Sequence, residues 1–226
     1  MNTGSAAMNP WLVVKEEMRT EPIRFGSHAT YWMRHSPRRL LYSQAYYKFA
    51  AKLIGAGRRV LDLGCGEGIG TWVLAAECGR AHGLDFDTEA IAVARANWTS
   101  ETIQFTCGNF FDTRLAPFDA VVALDVIEHI PAEQSEKWIG VILDHLTEYG
   151  IAILGTPNIT AQQYASEVAR AGHVNLYSGD RLREQLARHF HQVFLFGAND
   201  EVVHTGYLPM AHYLIAVCCR KRKEDS

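Results

Sequence analysis

The stretch Val60-Leu-Asp-Leu-Gly-Cys-Gly-Glu-Gly-Ile-Gly70 decides how the rest of the chain is read. An apolar run with an acid in its middle meets glycines at 64, 66, 68 and 70, and a helical pattern follows over Thr71–Glu77. That order predicts a buried strand, a tight turn and a helix whose free N–H groups face whatever lies on the turn. Glycine suits such a turn because a side chain would hold a ligand off the backbone, and because some turn positions need positive φ. A dinucleotide-binding loop requires Gly-x-Gly-x-x-Gly. Here the sixth position is Ile69 in one register and Thr71 in the other. A phosphate-cradling loop needs Gly-Lys-Ser/Thr, and no lysine lies between Lys52 and Lys137.

Outward from this loop, apolar or β-rich runs recur at Arg59–Gly64, Arg80–Asp85, Ile103–Gly108, Phe118–Asp125 and Gly150–Thr156. Helical patterns separate them at Thr71–Glu77, Thr88–Trp98 and Glu133–Leu146. Alternation with short links predicts a mostly parallel sheet with helices on both faces. Two more helical stretches, Thr160–Ala171 and Gly179–Phe190, precede two terminal strands, Gln192–Gly197 and Ala211–Cys219. Before the first strand, Trp11–Ile54 is helical and rich in aromatic residues. Residues 1–54 are therefore expected to form an extension able to act as a lid, with Tyr31, Trp32, Arg34 and His35 on it, ahead of a domain over 55–226. Met1–Pro10 is small and polar, as a disordered start would be.

Length and composition narrow the function. A chain of 226 residues suits one α/β domain with a decorated terminus, and 48% hydrophobic content is ample for its core. A net charge of -3 argues against a nucleic-acid partner, and the basic run Arg220–Lys223 reads as a solvated tail. The cysteines at 65, 78, 107, 218 and 219 have no Cys-x-x-Cys spacing and are expected to be reduced core thiols. No apolar run approaches the roughly 18 residues of a membrane span. A soluble, cytoplasmic protein is expected; its oligomeric state is not legible.

The acid Asp62, two residues before Gly64-Cys65-Gly66-Glu67-Gly68, resembles motif I of the class I S-adenosylmethionine-dependent methyltransferases. The resemblance implies a Rossmann-like sheet of seven strands, the last antiparallel between the fifth and sixth. It also implies S-adenosylmethionine as cofactor, with Asp62, Gly64, Cys65 and Gly66 beside its amino-acid end. Asp85, ending the second strand about twenty residues on, is placed to accept hydrogen bonds from both ribose hydroxyls, since Asp87 or Thr88 caps the next helix better. Phe86 lies beside the adenine. Asn109 stands where the family often carries an acid, and its amide can meet an adenine edge; Phe110 can pack on the ring.

The fourth strand ends Ala123-Leu-Asp125-Val-Ile-Glu128-His129. If Asp125 opens a helical turn, Glu128 and His129 share its face, beside the cofactor. With His173 further on, this order resembles ubiquinone-biosynthesis-type O-methyltransferases most closely, and also small-RNA 2′-O-methyltransferases that hold a divalent metal. Glu128 and His129 can be structural; His129 or His173 can be the general base for a hydroxyl; or Asp125, Glu128, His129 and His173 can hold manganese, iron or zinc. The lack of Asn/Asp-Pro-Pro-Tyr points to an oxygen acceptor. The expected function is O-methylation of a small-molecule hydroxyl. The alternatives are metal-dependent RNA 2′-O-methylation and cofactor binding without catalysis. The loop Asn199–Pro209, with Asp200, Glu201, His204 and Tyr207, is long enough to wall a pocket.

Overall fold

The computed structural model describes residues 9–222. The small, polar start (Met1–Met8) and Lys223, the end of the basic run, lie outside them.

Strands β1 (Arg58–Leu63), β2 (Gly79–Asp85), β3 (Ile103–Cys107), β4 (Phe118–Leu124), β5 (Leu146–Pro157), β6 (Phe190–Asn199), β7 (Val202–His204) and β8 (Tyr213–Lys221) form one sheet. Its order is β3-β2-β1-β4-β5-β8-β6-β7. The pairs among β3, β2, β1, β4 and β5 are parallel. β8 runs antiparallel to both neighbours, from Ile151↔Cys219 to Pro157↔Tyr213 on one side and from Phe190↔Lys221 to Ala198↔Tyr213 on the other. Reversal of strand order on either side of β1 and β4 leaves a crevice at their carboxyl ends, where open α/β sheets bind ligands. The sheet has eight strands rather than seven. The extra one, β7, closes a hairpin on β6 inside the expected 199–209 loop.

Helices α1 (Pro10–Glu17), α2 (Ser27–His35) and α3 (Pro37–Ile54) precede the sheet. Helices α4 (Ile69–Cys78) and α5 (Thr88–Trp98) follow β1 and β2; α6 (Ser135–Asp144), α7 (Glu167–Gly172) and α8 (Gly179–Ala187) come later. Two apolar cores result, one on each sheet face. Tyr46, Tyr47, Ala50, Leu74 and Ile91 bring α3, α4 and α5 onto one. Trp138, Ile139, Ile142, Leu182 and Leu186 bring α6 and α8 onto the other. Each fully buried Leu or Ile contributes about 1.5–3 kcal/mol relative to exposure.

Local chemistry sets the boundaries. α5 starts where Asp87 accepts from the Glu89 and Ala90 N–H groups, as a helix cap should. The expected helix 133–146 stops at Asp144, because the His145 ring takes up the Val141 carbonyl and the Leu115 N–H, and β5 begins at once. The expected helix 160–171 splits. Its first part is a 3-10 turn over Ile159–Tyr164, and Ser166 caps a separate α7 by accepting from Ala169 N–H at 3.2 Å. α8 ends three residues earlier than expected, and Phe190 opens β6.

Candidate active site

The glycine loop leaves β1 beneath the tip of β2. The Gly64 N–H donates to the Leu84 carbonyl at 2.8 Å, at φ +82. A methyl on Gly64 would come 2.5 Å from Val126 Cγ2, and one on Gly70 would sit inside the Tyr47 ring. Gly66, at φ +51, faces open space instead. The glycines thus divide their work: one exposes backbone, and the others let β4, α3 and the β2–β3 layer approach.

That open space is a cavity of about 620 Å³ at the carboxyl ends of β1, β2 and β4, within the roughly 300–1,000 Å³ typical of small-molecule sites. Gly64, Gly66, Asp85, Phe86 and Phe110 line one part; Asp125, Val126, His129 and Ile130 line the other, with His28 of α2 and Glu67 also at the wall. Asp85 is buried. One oxygen accepts the Gly66 N–H at 2.8 Å and the other the Asp87 N–H at 2.9 Å, which holds the carboxylate rigid and leaves each oxygen a further lone pair. Phe86 is 70% exposed, a flat face over the cavity.

Three residues expected at the cofactor do not line this cavity. Asp62 is fully buried beneath the loop, where it accepts from Tyr47 Oη at 3.1 Å and Thr71 Oγ1 at 2.6 Å. Burial pushes its carboxyl up to about 7 against the pull of those two donors. Its geometry is that of a peg joining α3, β1 and α4. Cys65 packs over Gly83, its thiol raised well above the usual range by burial. Asn109 is exposed, and its carboxamide oxygen accepts the Phe111 N–H at 2.9 Å to close a turn. None of the three lines the cavity.

At the other end, Asp125 does not open a helical turn. Its φ is +57, a left-handed conformation uncommon outside glycine and asparagine, and the following turn is a 3-10 one over Ile127–His129. The Asp125 N–H donates to the Gly155 carbonyl and Tyr213 Oη, both at 3.1 Å, while its carboxylate lies 3.9 Å from Arg39. Asp125 therefore does not join the other three residues expected as metal ligands. Glu128, His129 and His173 do come together, each with a ligand atom within 4.8 Å of the others. The two imidazoles meet edge to face, centroids 5.3 Å apart. Glu128 is 1% exposed. Its Oε2 accepts from Thr156 Oγ1 at 3.1 Å, and its Oε1 has no partner. Burial, with Asp125 adding, holds its carboxyl well above the ordinary range. Burial, then His129, lowers His173, whose Nδ1 also lacks a partner. His129 Nδ1 lies 2.8 Å from the Gly172 carbonyl. A carbonyl only accepts, so Nδ1 carries the proton and Nε2 keeps the lone pair of the neutral ring.

Four residues on or near α2, namely His28, Arg39, Glu67 and Asn97, were not singled out from sequence. Glu67 is buried in the glycine loop and accepts the Gly26 N–H at 2.8 Å and the Ala29 N–H at 3.0 Å, capping α2 from 38 or more residues away. Asn97 holds the preceding Arg24 backbone through both its N–H and its carbonyl. Arg39 lies 4.1 Å over the Trp32 ring, between that ring and Asp125. The signal for Glu67 was an acid amid glycines, where small residues suffice for a turn. Of the expected lid residues, Tyr31 and His35 stack on each other, and none of the four lines the cavity, where His28 stands instead. Nor do Asp200, Glu201, His204 and Tyr207 wall it. His204 bonds Asn199 and the Gly206 N–H within the hairpin, and Tyr46 Oη reaches the Asp200 carbonyl.

All five cysteines are free, and no helix among the described residues is long and apolar enough to cross a membrane. Residues 60–150 match the family model described as a methyltransferase domain. A curated relative in Mycolicibacterium smegmatis, a probable S-adenosylmethionine-dependent methyltransferase, is 32% identical over 130 residues, which span 57% of this chain and 46% of that one. The ubiquinone biosynthesis O-methyltransferase of Xylella fastidiosa is 29% identical over 128 residues, 53% of this chain and 52% of that one. The chain thus spans about half the length of these relatives. A solved complex between the Haloferax volcanii Trm112 methyltransferase activator and a methyltransferase superposes with a TM-score of 0.69 at 18% identity, covering 88% of this chain and 97% of that one; at that identity it shows the fold alone.

Proposed function

We propose that this chain, whose residues 60–150 match a methyltransferase domain, is an S-adenosylmethionine-dependent methyltransferase that transfers a methyl group to a hydroxyl of a small-molecule metabolite. One observation carries the reading: a single cavity joins a rigid carboxylate beside a bare glycine backbone, Asp85 and Gly66, to a half-exposed acid and an imidazole, Asp125 and His129. The first pair fits a nucleoside with vicinal hydroxyls. The second fits an oxygen that must lose a proton.

S-adenosylmethionine, when bound, supplies a methyl group already activated on sulfonium. The protein's share is alignment and one proton transfer. Asp85 would accept from the ribose hydroxyls, Phe86 and Phe110 would flank the adenine, and Gly64 and Gly66 would admit the amino-acid end close to the backbone. Arg39, a fixed positive charge at the lid beside Asp125, is placed to attract the donor's carboxylate. His129, with Nδ1–H on the Gly172 carbonyl, would take the acceptor's proton on Nε2, and burial keeps the neighbouring His173 neutral at physiological pH. The relatives' names include O-methyltransferases, which supports an oxygen acceptor.

A metal-assisted form of the same reaction has its own support. Glu128 Oε1 and His173 Nδ1 are buried without partners in a three-residue group of ligand spacing, a carboxylate–imidazole set suited to manganese, iron or zinc. Glu128, His129 and His173 would hold the ion, whose chemistry would be to acidify the acceptor hydroxyl.

Calorimetry with S-adenosylmethionine, followed by screening of phenolic, sugar and polyketide-like hydroxyls for methylated product, tests the proposal. Binding with product on an oxygen is expected. Tight binding without product from any acceptor would favour a cofactor-binding protein without catalysis. Product on RNA, with salt-sensitive binding, would favour the nucleic-acid alternative. Elemental analysis of protein prepared without chelator, with turnover measured in EDTA, decides on the metal: metal-free protein with unchanged turnover removes it.

A further inference from the structure

His129 is oriented by its own hydrogen bond to Gly172, but Nδ1 of His173 has no partner. What places His173 beside His129 must therefore act through the backbone of the strap 172–178. Two attachments do so. The Glu128 carbonyl accepts both the Val174 N–H at 2.9 Å and the Asn175 N–H at 3.0 Å, tying the strap to the turn that carries Glu128 and His129. Tyr177 then bridges in parallel to Asn158 at the end of β5, and its carbonyl accepts the Ile159 N–H at 2.8 Å.

Beneath the strap lies a buried polar network with Tyr177 Oη at its centre. That hydroxyl accepts from Asn175 Nδ2 at 3.1 Å and donates to Gln185 Oε1 at 2.9 Å. Gln185 Nε2 continues to Ser135 Oγ at 2.9 Å and to Glu136 at 3.0 Å, so the strap is anchored to α6 and α8 together. Arg181 closes the other side, donating to Asn175 Oδ1 at 2.6 Å with its guanidinium 4.2 Å over the Tyr177 ring. Tyr177, Asn175, Ser135 and Gln185 are all buried. Removing the central hydroxyl would leave an amide donor and an amide acceptor unpaired away from water, which buried networks do not tolerate without rearranging.

We propose that Tyr177, acting through Asn175, Gln185 and the 172–178 strap, is a positioning residue for the His129–His173 pair. It is no catalytic group, since its hydroxyl is buried and taken up by Asn175 and Gln185. The proposal rests on the reading of that pair as the acceptor side, yet its geometry can be measured without any acceptor.

The test is Tyr177→Phe in the full chain, which keeps the ring. In protein with labelled histidines, the wild type should show a nuclear Overhauser contact between the His129 and His173 rings. The variant should lose it while binding S-adenosylmethionine within about twofold of wild type. Where a methyl acceptor is in hand, kcat should fall by roughly 10- to 100-fold, the scale of an ångström-level misplacement, with KM for the donor unchanged. Persistence of the ring contact in the variant, or its absence from the wild type, would overturn the proposal. A wild type that methylates no hydroxyl would overturn the function reading and leave the ring-contact result standing. If Tyr177→Phe does not fold, Gln185→Met removes the same hydrogen bond at the far end and is read in the same way.

Discussion

The two ends of the cavity are built on opposite principles. At the glycine-loop end every carboxylate has its partners within the protein: Asp85 from Gly66 and Asp87, Asp62 from Tyr47 and Thr71, Glu67 from Gly26 and Ala29. At the His129 end, Glu128 Oε1 and His173 Nδ1 are buried and unpaired. A buried polar atom without a partner is costly, and the proposed metal-assisted reading would give both of these atoms one. The first end is satisfied within the protein; the second keeps unused hydrogen-bonding capacity.

The contrast is sharpest in turnover. His129→Ala should lower kcat by roughly 10²–10⁴, the usual worth of a general base, while calorimetry shows donor affinity unchanged; a parallel loss of donor binding would merge the two ends into one. The peg beneath the loop predicts a pH effect. An unfolded Asp62 loses its proton near pH 4, the folded one near about 7. Between those values the folded chain holds more protons, so this group's contribution is fully present below the unfolded value and is lost as pH rises through about 7. Asp62→Asn should flatten that decline in thermal or urea unfolding, by up to roughly 4 kcal/mol across the interval. Identical pH profiles would mean that Asp62 ionises without penalty.

Smaller effects follow at the donor end. Asp85→Ala removes two charge-assisted hydrogen bonds, each worth about 1.5–3 kcal/mol, and should weaken S-adenosylmethionine by about 100-fold or more in calorimetry; unchanged affinity would end the ribose assignment. Glu67→Gln leaves a single acceptor for the two N–H groups that start α2. The loss of a cap costs about 1 kcal/mol. Donor affinity should fall roughly fivefold, with faster proteolysis before Ser27. Equal proteolysis rates would show that the segment is held by Asn97 and packing alone.

How much of this was legible beforehand follows the same division. The alternation of β-rich runs and helical patterns carried the mostly parallel sheet with helices on both faces, because burial on both faces leaves near-continuous apolar strands; the reversed β8 came only from the family resemblance. Asp85 and the Gly64–Gly70 loop could be paired beforehand for a similar reason: they end two adjacent strands, β2 and β1, and meet through the Gly66 N–H. The other end is assembled from Glu128, His129 and a strap 44 residues on, and its geometry turns on the backbone handedness of Asp125, which no side-chain periodicity encodes. Glu67 was missed because its partners, Gly26 and Ala29, are bare N–H groups far away in sequence. Asn109 was legible only as a residue type, because an amide that closes its own turn looks the same in sequence as one that meets a ligand.

The position of β8 bears on how the molecule is made. It is the latest synthesised of the eight strands, yet it lies inside the sheet and alone joins β5 to the β6–β7 hairpin. Its first residue, Tyr213, supplies the hydroxyl that accepts from the Asp125 N–H. At about 5–20 residues per second, β5 waits several seconds on the ribosome with an open edge before β8 can fill it, a window for unwanted pairing. During that window the glycine loop, Asp85 and the β1–β4 crevice can already form, whereas the turn that presents Asp125 and His129 lacks its Tyr213 anchor. The nascent chain would gain its donor end first and its reactive end last.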